Sequence, residues 1–148
     1  NSIIYPILYN RPIYDNCNYD NDFYYRHPNR KIYKTKLNIK DLVEDHHIIP
    51  KCLNKHPIIS IINFNISQPE NLLIMPSKQG IHSLYISKTT KIHSGGHINY
   101  NRYIQNCLDI IYLNYNIKHS NDDVKYQFWL LLKFLKYNLY NNNEIPWN

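Results

Sequence analysis

The sequence predicts a small α+β domain, and three observations carry that prediction. Two short apolar runs, Leu42 to Pro50 and Leu72 to Pro76, each close on a proline. Two longer downstream stretches repeat their apolar residues at the helical period. Residues 1–40 show neither pattern.

Residues 1–40 read as an irregular segment rich in Tyr, Asn and Pro, with Tyr5, Tyr9, Tyr14, Tyr19, Tyr24 and Tyr25 spread through it. Such a segment is either an aromatic, basic arm that stacks on nucleic-acid bases or an irregular wrap whose tyrosines pack on the core. The cations near these tyrosines are few, Arg11, Arg26, Arg30 and Lys31, which favours the wrap.

The main domain is expected over 41–148. Its first strand, Leu42 to Pro50, stops because proline offers no ladder N–H. Pro57 suits the first position of a short helical turn, Ile58 to Asn63. Phe64 to Ser67 then leads through Pro69-Glu70-Asn71 into the second strand, Leu72 to Pro76. Ser77 to Ile92 reads as a polar connector. From His97 to about His119 the residues Ile104, Cys107, Leu108, Ile111 and Tyr115 share one helical face. His93 to Gly96 is a candidate first turn of that helix. A last helix, about Asp122 to Tyr140, turns Phe128, Leu131, Leu132, Leu135 and Leu139 inward, with Asn121 as its expected cap. Asn141 to Asn148 is expected to fray.

Composition bounds the function. A chain of 148 residues suits one compact domain. Its 17 Lys+Arg against 11 Asp+Glu give a net charge of +6, which suits a polyanion, nucleic acid or an anionic membrane surface. No apolar run is long enough to span a bilayer, and residues 1–10 lack the pattern of a signal peptide. The chain opens on Asn1 rather than Met, so a fragment or processed product is expected. Cys17, Cys52 and Cys107 are isolated, which indicates neither a disulfide framework nor a cysteine zinc site. A reducing, intracellular setting follows as the expectation. Asn, Ile, Tyr and Lys abound and Ala is absent. Those residues share AT-rich codons, so an AT-rich genome, such as that of a large DNA virus or an intracellular parasite, is the expected source.

The chemistry lies in the histidines. His46 and His47 are adjacent at the head of the run Ile48-Ile49-Pro50, and His93 and His97 are four residues apart. Imidazoles at i and i+4 share a helix face and can chelate one ion. Neighbours in a regular strand point to opposite faces, so His46 and His47 serve one site only where the strand ends or bulges. One imidazole would then bind the metal while the other takes a proton from water.

The ordered set His46-His47-Ile48-Ile49-Pro50, Asn71-Leu72-Leu73-Ile74-Met75-Pro76 and His93-Ser94-Gly95-Gly96-His97 with Tyr100-Asn101 resembles the HNH/endonuclease VII nucleases. It is most similar to the branch named for its Ala-His-His motif. Phe64-Asn65-Ile66-Ser67 looks like the turn that precedes the Asn strand in that branch. The resemblance covers about residues 43–112. It implies a ββα-metal finger embedded in a mainly helical small domain. It implies His47 as general base, His46 as metal ligand with His93 and His97, and Asn71 as the brace of the loop carrying the base. The implied function is metal-dependent hydrolysis of phosphodiester bonds, in DNA first and with low sequence specificity. The implied products carry a 5′ phosphate and a 3′ hydroxyl.

Position 45 is Asp where the branch usually has Ala. That leaves a second register open, with Asp45 as ligand and His46 as base, although the distance to Pro50 favours His47. The expected cofactor is one divalent ion. Imidazole ligands favour zinc, nickel or manganese, and magnesium prefers oxygen. Lys78, Lys91, Arg102 and His82 are candidate phosphate contacts, with Lys88 beside them. Tyr100 and Asn101 are expected to pack the helix start, and His27, His56 and His119 to be structural or surface residues. Glu44 and Asp45 are expected around the ligands or at the surface. Two other readings stand beside the endonuclease. One is a toxin-type nuclease effector with an immunity or targeting partner. The other is a basic nucleic-acid-binding protein with a purely structural metal site. No membrane partner is expected.

Overall fold

A computed structural model describes residues 23–83, 97–118 and 120–148. In order they form α1 (Pro28–Lys36), β1 (Val43–His47), α2 (Pro57–Ile61), β2 (Leu72–Pro76), α3 (Lys78–Ser83), α4 (Ile98–Lys118) and α5 (Asn121–Tyr140). Single 3₁₀ turns at Lys51–Leu53 and Pro69–Asn71 lie between them. This is a set of five helices and a two-stranded antiparallel sheet, consistent with the α+β expectation. None of the described helices is long and apolar enough to cross a membrane. The described residues divide into two compact units, one of 23–47 and 67–83, the other of 48–66, 97–118 and 120–148.

In the first unit β1 and β2 pair from Val43↔Pro76 to His47↔Leu72. The second strand matches its predicted bounds. The first ends at His47, three residues before the proline expected to stop it. Residues paired across the ladder share a face, so Val43, Asp45 and His47 lie with Leu72 and Ile74, and His46 lies with Leu73. Ile39, Val43 and Ile74 form a buried cluster against which Tyr33, Leu37 and Leu42 pack.

The segment expected to be irregular contains a helix. In α1, Pro28 occupies the first turn and the His27 ring caps it, Nδ1 accepting from the N–H of Asn29 at 3.1 Å. The fully buried residue of α1 is Arg30 rather than an apolar one, so no hydrophobic period announces the helix. The connector beginning at Ser77 likewise opens with the helix α3. The N–H of Ser77 donates to the carbonyl of Leu42 at 2.9 Å. A β-carbon at Gly80 would collide with that same carbonyl, so only glycine lets α3 approach this closely.

In the second unit α4 and α5 pack together and α2 packs on α4. Tyr100, Ile104, Leu108 and Ile111 form the buried stripe of α4. Val124, Phe128, Leu132, Leu135 and Leu139 form that of α5. Phe64 joins them edge-on, 4.7 Å from the Phe128 ring. Of the residues expected to face inward, Cys107, Tyr115 and Leu131 are only half-buried. His56 repeats the device of His27: its Nδ1 accepts from the Ile58 N–H at 3.1 Å and caps α2. The proton therefore sits on Nε2, which donates to Asp109 Oδ1 at 2.7 Å. Both histidines are structural, as expected; His119 lies outside the described residues.

Two expectations at the chain's end are corrected. Ser120, not Asn121, caps α5, in a reciprocal box with Asp123. The segment after Asn141 does not simply fray. The Tyr100 N–H donates to the Trp147 carbonyl at 3.3 Å, and the Trp147 ring lies 5.1 Å from that of Tyr100.

Candidate active site

The first unit holds the His-His pair. His46 stands inside the ladder opposite Leu73 and is fully buried, with both ring nitrogens shut away from solvent. His47 occupies the last rung, opposite Leu72, and is buried as well. Alternation sends the two imidazoles to opposite faces of the ladder. Asn71, fully buried, immediately precedes the residue that pairs with His47. His46, His47 and Asn71 are thus gathered at one end of the sheet.

The face that carries His47 also carries Asp45. Its Oδ1 receives Arg30 Nη2 at 2.6 Å, and its Oδ2 receives Arg30 Nε at 3.0 Å and Lys34 Nζ at 3.0 Å. Burial alone would raise the Asp45 carboxyl, but the hydrogen bond and charge of Arg30, joined by Lys34, outweigh it and hold it below the ordinary carboxylate value. A carboxylate with both oxygens taken by cations is poorly disposed to bind a metal. Tyr25 packs its ring edge-on against His47, centroids 4.4 Å apart. Neither Tyr25 nor the partnership of Asp45 with Arg30 carries a spacing signal in the sequence.

The second unit holds His97, half-buried just ahead of α4. Its Nδ1 faces the amide oxygen of Asn101 at 3.4 Å, which suits the tautomer with its lone pair on Nε2. Its ring lies 4.6 Å from Trp147 and 5.6 Å from Tyr100. The Tyr100 hydroxyl donates to the Ile48 carbonyl. Burial pushes the Tyr100 phenol well above its ordinary value, with Cys107 and Tyr103 adding to the rise, so it remains a donor. Tyr100 packs the helix start, as expected.

Of the remaining candidates, Lys78 is exposed at the start of α3 and Arg102 is exposed on α4. His82 lies on α3. Lys88, Lys91 and His93 lie outside the described residues. Among the described residues no three His, Cys, Asp or Glu side chains group to hold a metal ion. The donors themselves suit one in kind: His46 is an imidazole removed from water, and His97 has its second nitrogen turned to an amide oxygen.

A short antiparallel pair carrying a His-His at its end, together with five helices among the described residues, is compatible with an HNH-like α+β nuclease fold. Residues 35–135 match the model of AHH, a nuclease family of the HNH/ENDO VII superfamily with conserved AHH. The chain belongs to this family, and with it to the nucleases, which act on nucleic acid. Nucleases of this superfamily are generally metal-dependent. No curated protein and no solved structure matches the chain.

Proposed function

We propose that the chain is a metal-dependent endonuclease that hydrolyses phosphodiester bonds, in DNA first and with low sequence specificity. His47 is the general base, and His46, His93 and His97 together hold one divalent ion. The observation that carries this reading is the end of β1 at His47: the regular ladder stops there, with His46, His47 and Asn71 all buried at that end of the sheet. The engagement of Asp45 with Arg30 and Lys34 supports the register with His46 as ligand and His47 as base over its rival.

In this reading His47 accepts a proton from a water molecule, and the resulting hydroxide attacks phosphorus in line with the 3′ oxygen. The P–O3′ bond breaks, the 3′ oxygen takes a proton from solvent, and the 5′ phosphate keeps the new oxygen. An imidazole, with an ordinary pKa of about 6.5, is suited to this at neutral pH. A bound divalent ion supplies neutralisation of the charge that builds on the phosphate oxygens. Lys78, Lys91 and Arg102 are proposed to contact flanking phosphates, and His82 with them.

The test is plasmid and RNA cleavage with zinc, nickel, manganese or magnesium, and with EDTA, beside His47→Ala. Cleavage that depends on added metal and vanishes in His47→Ala is expected. Equal cutting by the variant sinks the assignment of His47, and no cutting with any metal sinks the enzyme reading.

A further inference from the structure

We propose that the turn Tyr25-Arg26, upstream of the family-matched span, belongs to the active site. Arg26 contacts a nucleic-acid phosphate, and Tyr25 positions both that guanidinium and the ring of His47. The inference rests on the reading of His47 as the base.

The turn is built to face His47. The Tyr25 N–H donates to the Ser67 carbonyl at 2.9 Å, and the His27 N–H donates to the Tyr24 carbonyl at 2.9 Å. Immediately downstream, α1 is locked to the sheet by Arg30 and Lys34 on Asp45, and Arg30 Nη1 donates to the Phe23 carbonyl at 3.1 Å. The turn is thus held on both sides, and its fixed position brings the Tyr25 ring edge-on to His47. The exposed Arg26 guanidinium lies over the Tyr25 ring, 5.1 Å from its centroid. One aromatic ring therefore touches both the proposed base and a cation.

Arg26 is costly where it stands. Its φ of 63° is left-handed, a region that favours glycine and tolerates asparagine. Of the four such non-glycine positions among the described residues, the other three, 38, 63 and 142, are all Asn. Arginine at the fourth brings no compensating ion pair, since no carboxylate pairs with it among the described residues. A strained, exposed cation presented by a rigid turn beside a proposed base fits a backbone phosphate.

The experiment uses the full chain. Binding of a labelled random-sequence DNA duplex is followed in EDTA across a salt series, and cleavage is followed with the activating metal. Arg26→Asn removes the charge and relieves the backbone, so its melting temperature should hold or rise. It should weaken duplex binding about tenfold and reduce the slope of log K against log salt by about one. Tyr25→Leu should lower kcat by about tenfold or more with a smaller change in KM, and Tyr25→Phe should restore kcat. An unchanged salt slope in Arg26→Asn overturns the proposal, as does a wild-type kcat in Tyr25→Leu. A wild type that neither binds nor cuts nucleic acid overturns the nuclease reading instead, independently of this turn.

Discussion

Arg30 grips Asp45 with two guanidinium nitrogens, Nη2 at 2.6 Å and Nε at 3.0 Å, and both side chains are almost wholly buried. Arg30 and Lys34 both lie before the span that matches the family model, which begins at residue 35. The pair fastens α1 to the sheet by charge, beside the packing of Tyr33 on the cluster of Ile39, Val43 and Ile74.

Breaking that pair should be expensive. Asp45→Ala leaves the Arg30 charge buried without its carboxylate, which costs about 3–5 kcal/mol; urea unfolding measures it. The pH dependence follows from the lowered Asp45 value. The folded carboxyl titrates below the unfolded one, so its contribution is present above the ordinary carboxylate range and is lost as pH falls through the folded value. Asp45→Asn should accordingly flatten the acid limb of the stability profile. It should also leave metal affinity intact; a large loss of affinity would favour the rival register with Asp45 as ligand.

Gly80→Ala should destabilise the first unit by about 2 kcal/mol. The added methyl meets the Leu42 carbonyl, which already accepts from Ser77, and neither backbone can yield without disturbing the start of β1. A lowered urea midpoint with an unchanged slope is the expected result. Wild-type stability would show that α3 can move away from Leu42.

The strands and the two long helices were legible because their signals are local. Apolar residues bounded by proline mark β2, and the stripes Ile104-Leu108-Ile111 and Phe128-Leu132-Leu135 mark α4 and α5. The His46-His47 pair was legible for the same reason. What escaped depends on pairings distant in sequence. The helix α1 buries Arg30, whose partner Asp45 stands fifteen residues away, so no period of 3.6 appears. Trp147 finds Tyr100 only through the folded backbone. The early end of β1 at His47, rather than at Pro50, was open to the sequence argument only as an alternative.

Tyr100→Phe should cost about 1–3 kcal/mol, because the hydroxyl is buried and donates to the Ile48 carbonyl. Phenylalanine keeps the ring contacts with His97 and Trp147 but leaves that carbonyl without this donor. Thermal unfolding at fixed pH checks it. A variant as stable as wild type would mean that water replaces the phenol.

Metal binding provides a readout of the proposed ligands that does not depend on catalysis. A ligand that binds only the folded chain stabilises it, by about 2.7 kcal/mol at a hundred times Kd. Zinc or nickel should therefore raise the melting temperature of wild type, and EDTA should reverse the rise. His46→Ala and His97→Ala should each shrink it, and Asn101→Ala should weaken affinity about tenfold, since the Asn101 oxygen faces Nδ1 of His97 and favours the tautomer that binds through Nε2. His47→Ala should keep the full metal-induced rise while losing cleavage. This is the outcome that separates base from ligand. If His47→Ala loses the rise and His46→Ala keeps it, the two roles must be exchanged. If none of the histidine variants changes it, the ion is bound elsewhere.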